Sequence, residues 1–266
     1  MEWTGKVVVV TGAAGGIGQA LCRAIRGAGV KGLAVSDLRD EPTQAIAAEV
    51  HGLAITADVS REDDVQRLVR TAESELGPID IFISNAGITV KGGVEAPDSE
   101  WKRLWDVNVM SHVYASRAVL PGMLERGSGY LVNVASAAGV LTEIGSAAYS
   151  VTKHGAVALA EWLSVMYQKK GIRSSCVCPA GVSTPFLDLD DPVHQFLQMS
   201  ACTPEHVAEC LLQGVRDEKF LILPHPEVAE FFQFKTQDYD RWLKNFARVN
   251  EKIERQIEKS RRAKEG

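Results

Sequence analysis

Tyr149 and Lys153 stand four residues apart in Tyr149-Ser150-Val151-Thr152-Lys153, the spacing that puts two side chains on one face of a helix. A phenol with an ordinary pKa of about 10 is a poor base near neutrality, and a neighbouring ammonium favours its phenolate. The pair can therefore work as an acid/base group at neutral pH. The same spacing also occurs on purely structural surface helices, so its meaning depends on what accompanies it. Two further polar residues interrupt apolar surroundings: Ser136 in Val134-Ala135-Ser136 and Asn108 in Asp106-Val107-Asn108-Val109. Taken singly, the first reads as a loop hydroxyl and the second as a buried polar group of a helix.

A second chemistry is written near the N-terminus. Thr11-Gly12-Ala13-Ala14-Gly15-Gly16-Ile17-Gly18 follows an apolar run and opens a helical pattern. In that context Gly12, Gly16, Ile17 and Gly18 form a turn whose backbone can approach a pyrophosphate, with helix N-terminal amides to meet its charge. The GxxxGxG spacing differs from GxGxxG, and a merely tight strand-to-helix turn would use the same glycines. Asp37 lies nineteen residues after Gly18, where a dinucleotide-binding fold places the acid that holds the adenosine ribose hydroxyls. Its charge would repel a 2′-phosphate, and the glycine turn carries no Lys or Arg to neutralise one, so NAD is favoured over NADP. Arg39, just past the acid, weighs the other way. Asp58-Val59 and Asn85-Ala86-Gly87 each follow a strand at its C-terminal end, the edge where open α/β sheets bind ligands. Each alone would suit a plain turn.

These residues need a scaffold, and the hydrophobic pattern supplies one. Seven short apolar runs read as strands: Lys6–Thr11, Gly32–Ser36, Leu53–Ala57, Ile79–Ser84, Gly129–Val134, Ile172–Cys178 and Phe220–Leu223. Val7-Val8-Val9-Val10 is apolar at every position, as a strand covered on both faces requires. Helical patterns alternate with them: Gly16–Ala28, Asp63–Leu76, Ser99–Arg126, Tyr149–Lys170 and Pro204–Val215. The alternation predicts an α/β fold with a doubly wound parallel sheet. Ser60 with Asp63 suggests a capping box, Asp98 or Ser99 a cap, and Thr203 an N-cap before Pro204. Beyond the last strand Tyr239, Trp242, Leu243, Phe246, Val249, Ile253 and Ile257 recur at helical spacing. That amphipathic tail is expected to pack on its own domain or on a sister subunit.

The 266 residues are 45% hydrophobic and 24% charged, ordinary values for one domain with a sizeable core. Net charge is −5 without a basic stripe, which gives no reason to expect nucleic acid. No apolar stretch is long enough for a membrane helix and Met1–Lys6 does not resemble a signal sequence, so a cytoplasmic protein is expected. Cys22, Cys176, Cys178, Cys202 and Cys210 form no CxxC pair and are odd in number, against a disulfide framework or zinc site. Cys176 and Cys178 are predicted to share one strand face as small core residues.

Read together and in order, Gly12, Gly16 and Gly18, Asn85-Ala86-Gly87, Asn108, Ser136, and Tyr149 with Lys153 resemble the short-chain dehydrogenase/reductase family over residues 5–225. The resemblance implies a seven-stranded Rossmann sheet of order 3-2-1-4-5-6-7 and metal-free hydride transfer. It implies that Tyr149 is the acid/base, that Lys153 lowers its pKa and holds the nicotinamide ribose, and that Ser136 binds the substrate oxygen. Asn108 would anchor a water linking Lys153 to solvent. Cys178-Pro179-Ala180-Gly181-Val182-Ser183-Thr184 is similar to the segment that contacts the nicotinamide, with Val182 and Thr184 near the carboxamide and phosphates. Ala180 stands there where glycine is usual.

Residues 1–225 are thus expected to form the catalytic domain and 226–266 a helical extension of it. Substrate loop 185–202 carries Phe186, Leu187, Phe196, Leu197 and Met199 beside Asp188, Asp190, Asp191 and His194. With Ile88, Val90, Val140, Leu141 and Ile144 it would border a pocket for a hydrophobic secondary alcohol or ketone. Family habit implies a homo-tetramer or dimer through Ser99–Arg126 and Tyr149–Lys170. Two alternatives stay open: an NADPH-dependent carbonyl reductase, and a catalytically silent dinucleotide sensor.

Overall fold

The computed structural model describes residues 1–187, 198 and 200–265, with side chains described to residue 255 and at 258. Phe196, Leu197, Met199, Asp188, Asp190, Asp191 and His194 of the substrate loop lie outside the described residues, as does the side chain of Ile257.

Seven strands form one sheet: β1 Val7–Thr11, β2 Gly32–Asp37, β3 Leu53–Thr56, β4 Ile81–Ser84, β5 Gly129–Val134, β6 Ile172–Val177 and β7 Leu221–Ile222. All pairings are parallel and the order is β3-β2-β1-β4-β5-β6-β7. The order reverses between β1 and β4, so the strand ends diverge there and leave a crevice. Nine α-helices are described: α1 Gly16–Gly27, α2 Asp40–Glu49, α3 Glu62–Leu76, α4 Asp98–Trp105, α5 Ser111–Glu125, α6 Ala147–Tyr167, α7 Pro204–Arg216, α8 Pro226–Gln237 and α9 Tyr239–Glu265.

The unbroken valines of β1 serve both faces of the sheet. Val8 and Val10 join Leu21 and Ile25 of α1 and Leu211 and Val215 of α7, while Val7 and Val9 join Leu68 of α3 and Val119 and Met123 of α5. Each such side chain, fully withdrawn from water, contributes about 2 kcal/mol, which is why a strand in this position carries no polar alternation. A third cluster lies at the β6–β7 end of the sheet. There Cys176 and Cys178 sit together, their sulfurs 3.8 Å apart, beside Val157 of α6, Val228 of α8 and Trp242 of α9. The tail thus packs on its own chain, although Tyr239 and Leu243 remain exposed.

Several local expectations are corrected. The stretch 99–126 is not one helix: a π-helical turn, Asp106–Met110, separates α4 from α5. Ser60 and Asp63 form no capping box. The N-cap of α3 is Arg61 without a side-chain bond, and Asp58 instead accepts from the amide (2.9 Å) and hydroxyl (2.6 Å) of Ser60. Neither Asp98 nor Ser99 caps α4, whose N-cap is Pro97. Thr203 does cap α7, accepting from the His206 amide at 3.2 Å.

Candidate active site

A cleft of about 1200 Å³ runs over the C-terminal ends of the strands and on to the tail helices. At its β1 end the glycine turn is held by close packing. Gly12 has φ +63°, and a Cβ there would lie 2.7 Å from the Ala86 Cα; one on Gly18 would lie 2.0 Å from the Gly12 oxygen. Asn85 secures the same contact, donating from Nδ2 to the carbonyls of Thr11 (2.9 Å) and Gly12 (3.1 Å). Asn85-Ala86-Gly87 therefore props the glycine turn besides lining the cleft. α1 starts at N-cap Gly15 with no side-chain cap and no acid in its first turn, which leaves first-turn amides available to an external anion.

Asp37 ends β2 at the cleft wall. Its Oδ2 accepts from the Ala14 amide at 3.1 Å and its Oδ1 pairs with the Arg39 Nε at 3.3 Å. A carboxylate has about four acceptor positions, so capacity remains for ligand hydroxyls. Asp58, Val59, Val182 and Thr184 line the same cleft. A Cβ on Gly16 would meet Thr184 at 2.5 Å, so the glycine lets this loop close over the start of α1. The glycine cradle, the uncapped helix start and the acid at the end of β2 together fit a dinucleotide.

Tyr149 and Lys153 enter from the first turns of α6. Ser146 caps that helix, accepting from the Tyr149 amide at 3.2 Å, and donates its own hydroxyl to the Val90 carbonyl at 2.5 Å. The start of α6 is thereby fixed against the chain after β4. Lys153 is buried and donates to the Val134 carbonyl at 3.2 Å, with its Nζ 5.5 Å from the centre of the Tyr149 ring. A Cβ on Gly87 would sit 3.2 Å from that ammonium. Glycine at 87 is what lets the chain pass so near it.

Ser136 lies just beyond β5, its Oγ accepting from the Ala138 amide at 3.1 Å. Asn108 does not line the cleft but stands behind it in the π-helical turn. Its amide bonds the Ile88 amide and carbonyl, each at 2.9 Å, and the Thr152 hydroxyl at 3.1 Å. The extra residue of a π turn displaces a side chain from the helical face, a feature that recurs at functional sites. One turn on, His112 is fully buried and burial lowers its pKa to about 3, the Lys153 charge adding to the effect.

The electrostatics differ from the expectation that Lys153 sets the acidity of Tyr149. Burial pushes the Tyr149 phenol well above its ordinary value, the Glu143 charge adds to the rise, and a hydrogen bond with Ser136 opposes it. Burial also lowers Lys153, to about 8, against weaker opposite pulls from Cys178, Cys176 and Glu143. Desolvation is the dominant cause of both shifts. The phenol is thus held in its protonated form near neutrality, hydrogen-bonded to Ser136 where both line the cleft.

The apolar side of the cleft is partly as expected. Ile88, Leu141, Ile144, Phe186 and Leu187 line the cleft, whereas Val140 is buried in the third core cluster and Val90 packs with Leu104 and Tyr149. The far wall belongs to the tail: Phe231, Phe234, Trp242, Phe246, Val249 and Ile253 face the cleft. Trp242 stacks on Phe246 with centroids 5.1 Å apart and meets Phe234 edge-on. Lys235, buried on α8, donates to the carbonyls of Val140 (2.7 Å) and Leu141 (3.4 Å), beside Thr142 at φ +113°. A β-branched residue at positive φ is strained, and such strain persists where surrounding bonds hold it.

The short chain dehydrogenase family matches residues 6–192. A 1-deoxy-11-beta-hydroxypentalenate dehydrogenase of Streptomyces exfoliatus is 36% identical over 191 residues, covering 68% of this chain and 69% of the relative. A borneol dehydrogenase of Lavandula x intermedia is 33% identical over 227 residues, covering 83% and 87%. Among solved structures, a short chain dehydrogenase/reductase from Burkholderia phymatum in complex with NAD superimposes with a TM-score of 0.82 at 26% identity, covering 90% of this chain and 96% of that one. With the sheet order, the cleft and these matches in agreement, the protein belongs to the short-chain dehydrogenase/reductase family of oxidoreductases.

Proposed function

We propose that the protein is an NAD-dependent dehydrogenase that interconverts a bulky hydrophobic secondary alcohol and its ketone, with Tyr149 as the acid/base. The observation that carries this reading is the meeting of Tyr149, Ser136 and Lys153 in one cleft that reaches Asp37 at one end and an aromatic wall at the other. Gly12, Gly16, Ile17 and Gly18 receive the pyrophosphate, Asp37 the adenosine ribose, and Lys153 the nicotinamide ribose. Asp58, Val59, Asn85, Ala86, Gly87, Val182 and Thr184 complete the cofactor's surroundings. When bound, the nicotinamide accepts or supplies the hydride at the carbinol carbon. The chain's own residues handle the proton: Tyr149 takes it from the alcohol in oxidation and returns it to the carbonyl oxygen in reduction. Ser136 orients that oxygen and stabilises its developing charge. Asn108 holds a water through which Lys153 exchanges protons with solvent.

The substrate is of alicyclic size. Both curated relatives named above are dehydrogenases whose names specify ring compounds, and the six apolar residues of α8 and α9 extend this cleft well past Tyr149. The assembly is a homo-oligomer, a tetramer or dimer, through the faces of α4 and α6 that expose Trp105, Trp162, Val165 and Met166. NAD preference is tested by the ratio of catalytic efficiencies with NAD and NADP. The expected result favours NAD, narrowing in Asp37→Ala; an unaltered protein that favours NADP refutes it and restores the carbonyl reductase alternative.

A further inference from the structure

The segment after β6, where Ala180 stands in place of the glycine expected from sequence, is held from 45 residues away. His225, the N-cap residue of α8, is buried, and both of its ring nitrogens engage that segment. Nδ1 accepts from the Ala180 amide at 3.1 Å and Nε2 donates to the Gly181 carbonyl at 2.9 Å. These two bonds require the neutral ring with its proton on Nε2. His225 is itself held from several sides. The Cys178 amide donates to the Ile222 carbonyl at 2.9 Å, and the His206 ring bonds the Pro224 carbonyl at 2.9 Å from the capped start of α7. The clamped segment matters to the cleft: Pro179, Ala180, Gly181 and Val182 all line it, and the Pro179 carbonyl accepts from Ser136 at 3.4 Å. Ala180 meanwhile does not have a positive φ, so nothing in its own backbone demands glycine.

We propose that His225 is a positioning residue for the cofactor end of the cleft: it fixes the Pro179–Val182 segment, and with it the wall against which the nicotinamide would be held. The inference rests on the dinucleotide reading above. A ring that accepts from the amide of one residue and donates to the carbonyl of the next sets the orientation of the segment, which a hydrophobic residue of similar size cannot do. Because His225 also begins α8, the helix that carries Phe231 and Phe234, it ties the cofactor wall to the substrate wall.

The test compares His225→Ala and His225→Gln with the unaltered protein. A glutamine amide offers one acceptor and one donor, so it can restore both bonds. Affinity for NADH is read by fluorescence titration, fold integrity by thermal melting, and the ring's protonation by ¹⁵N NMR of the unaltered protein. The expected results are an Nε2–H tautomer, weakening of NADH affinity by about tenfold in the alanine variant, equivalent to one net hydrogen bond, and substantial recovery in the glutamine variant. Equal affinity in all three proteins, or equal losses in both variants, overturns the proposal. If the alanine variant does not fold, a neutral Nδ1–H tautomer or a charged ring at neutral pH overturns it independently. If the unaltered protein binds neither NADH nor NADPH, the dinucleotide reading itself has failed.

Discussion

Replacing Lys153 by Met is expected to make the cofactor-free protein more stable while abolishing its activity. Lys153 is buried, and no carboxylate lies within salt-bridge distance of it among the described residues. Burial lowers its pKa from 10.5 to about 8, a cost of about 3 kcal/mol to the folded state wherever the ammonium is charged in both states. Methionine has nearly the same shape and no charge. Its main loss is the bond to the Val134 carbonyl, about 1 kcal/mol, which leaves a net gain of about 2 kcal/mol at pH 7. The sign fixes the pH window. At pH 7 both folded and unfolded wild type hold the proton, so the full cost is present. Above about 8 the folded protein releases it while the unfolded chain keeps it to about 10.5, so wild type recovers stability as pH rises. The gap between the proteins should therefore nearly close by about pH 10. Urea denaturation of both proteins at several pH values measures this, and other titrating groups cancel in the difference. A Met variant less stable than wild type at pH 7, or a gap unchanged across the window, refutes the reasoning. A stabilised but inactive variant would mark Lys153 as retained for chemistry at the expense of the fold.

Phe246→Ala, which opens the tail wall beside Trp242, should raise KM for a bicyclic or tricyclic secondary alcohol by about tenfold and leave a small secondary alcohol nearly unaffected; equal effects on both would remove α9 from the substrate site. Lys235→Met should free the Val140 and Leu141 carbonyls and relax strained Thr142, lowering kcat at least several-fold while the fold persists; unchanged kcat would show that the loop holds itself. Light scattering at micromolar concentration should report a dimer or tetramer, and Trp162→Glu with Val165→Glu should shift it toward monomer; a monomeric unaltered protein contradicts the proposed interface.

The sheet was legible because strands buried on both faces must be apolar throughout, and β1 and β4 announce themselves that way. Their ends were less so: Asp80 reads as part of a strand, yet it lies before β4, its carboxylate accepting from the Val7 amide at 2.9 Å. The π turn at Asn108 was hidden, since one inserted residue barely disturbs a helical period over the stretch 99–126. Residues at strand ends could be assigned to one cleft from sequence because the topology gathers those ends. The tail's apolar stripe was equally visible, but periodicity reveals a face and not what the face covers, so the roles of Trp242 and Phe246 in the cleft wall were missed. His225 left no local signal at all, because its partners are backbone groups far away in the chain. The electrostatics of Tyr149 misled for a related reason: a spacing of four places a cation near a phenol, while the dominant effect, burial, depends on everything packed around both.

The most direct test of the enzyme reading is Tyr149→Phe, which keeps the buried ring and removes only the phenolic oxygen. Initial rates of NADH formation are followed by absorbance with a panel of alicyclic secondary alcohols, alongside NADH affinity measured by fluorescence titration. The expected result is turnover by the unaltered protein, a loss of about a hundredfold or more in the Phe variant, and cofactor affinity close to unchanged. A Phe variant that turns over at the rate of the unaltered protein would contradict the assignment of Tyr149 as the proton carrier.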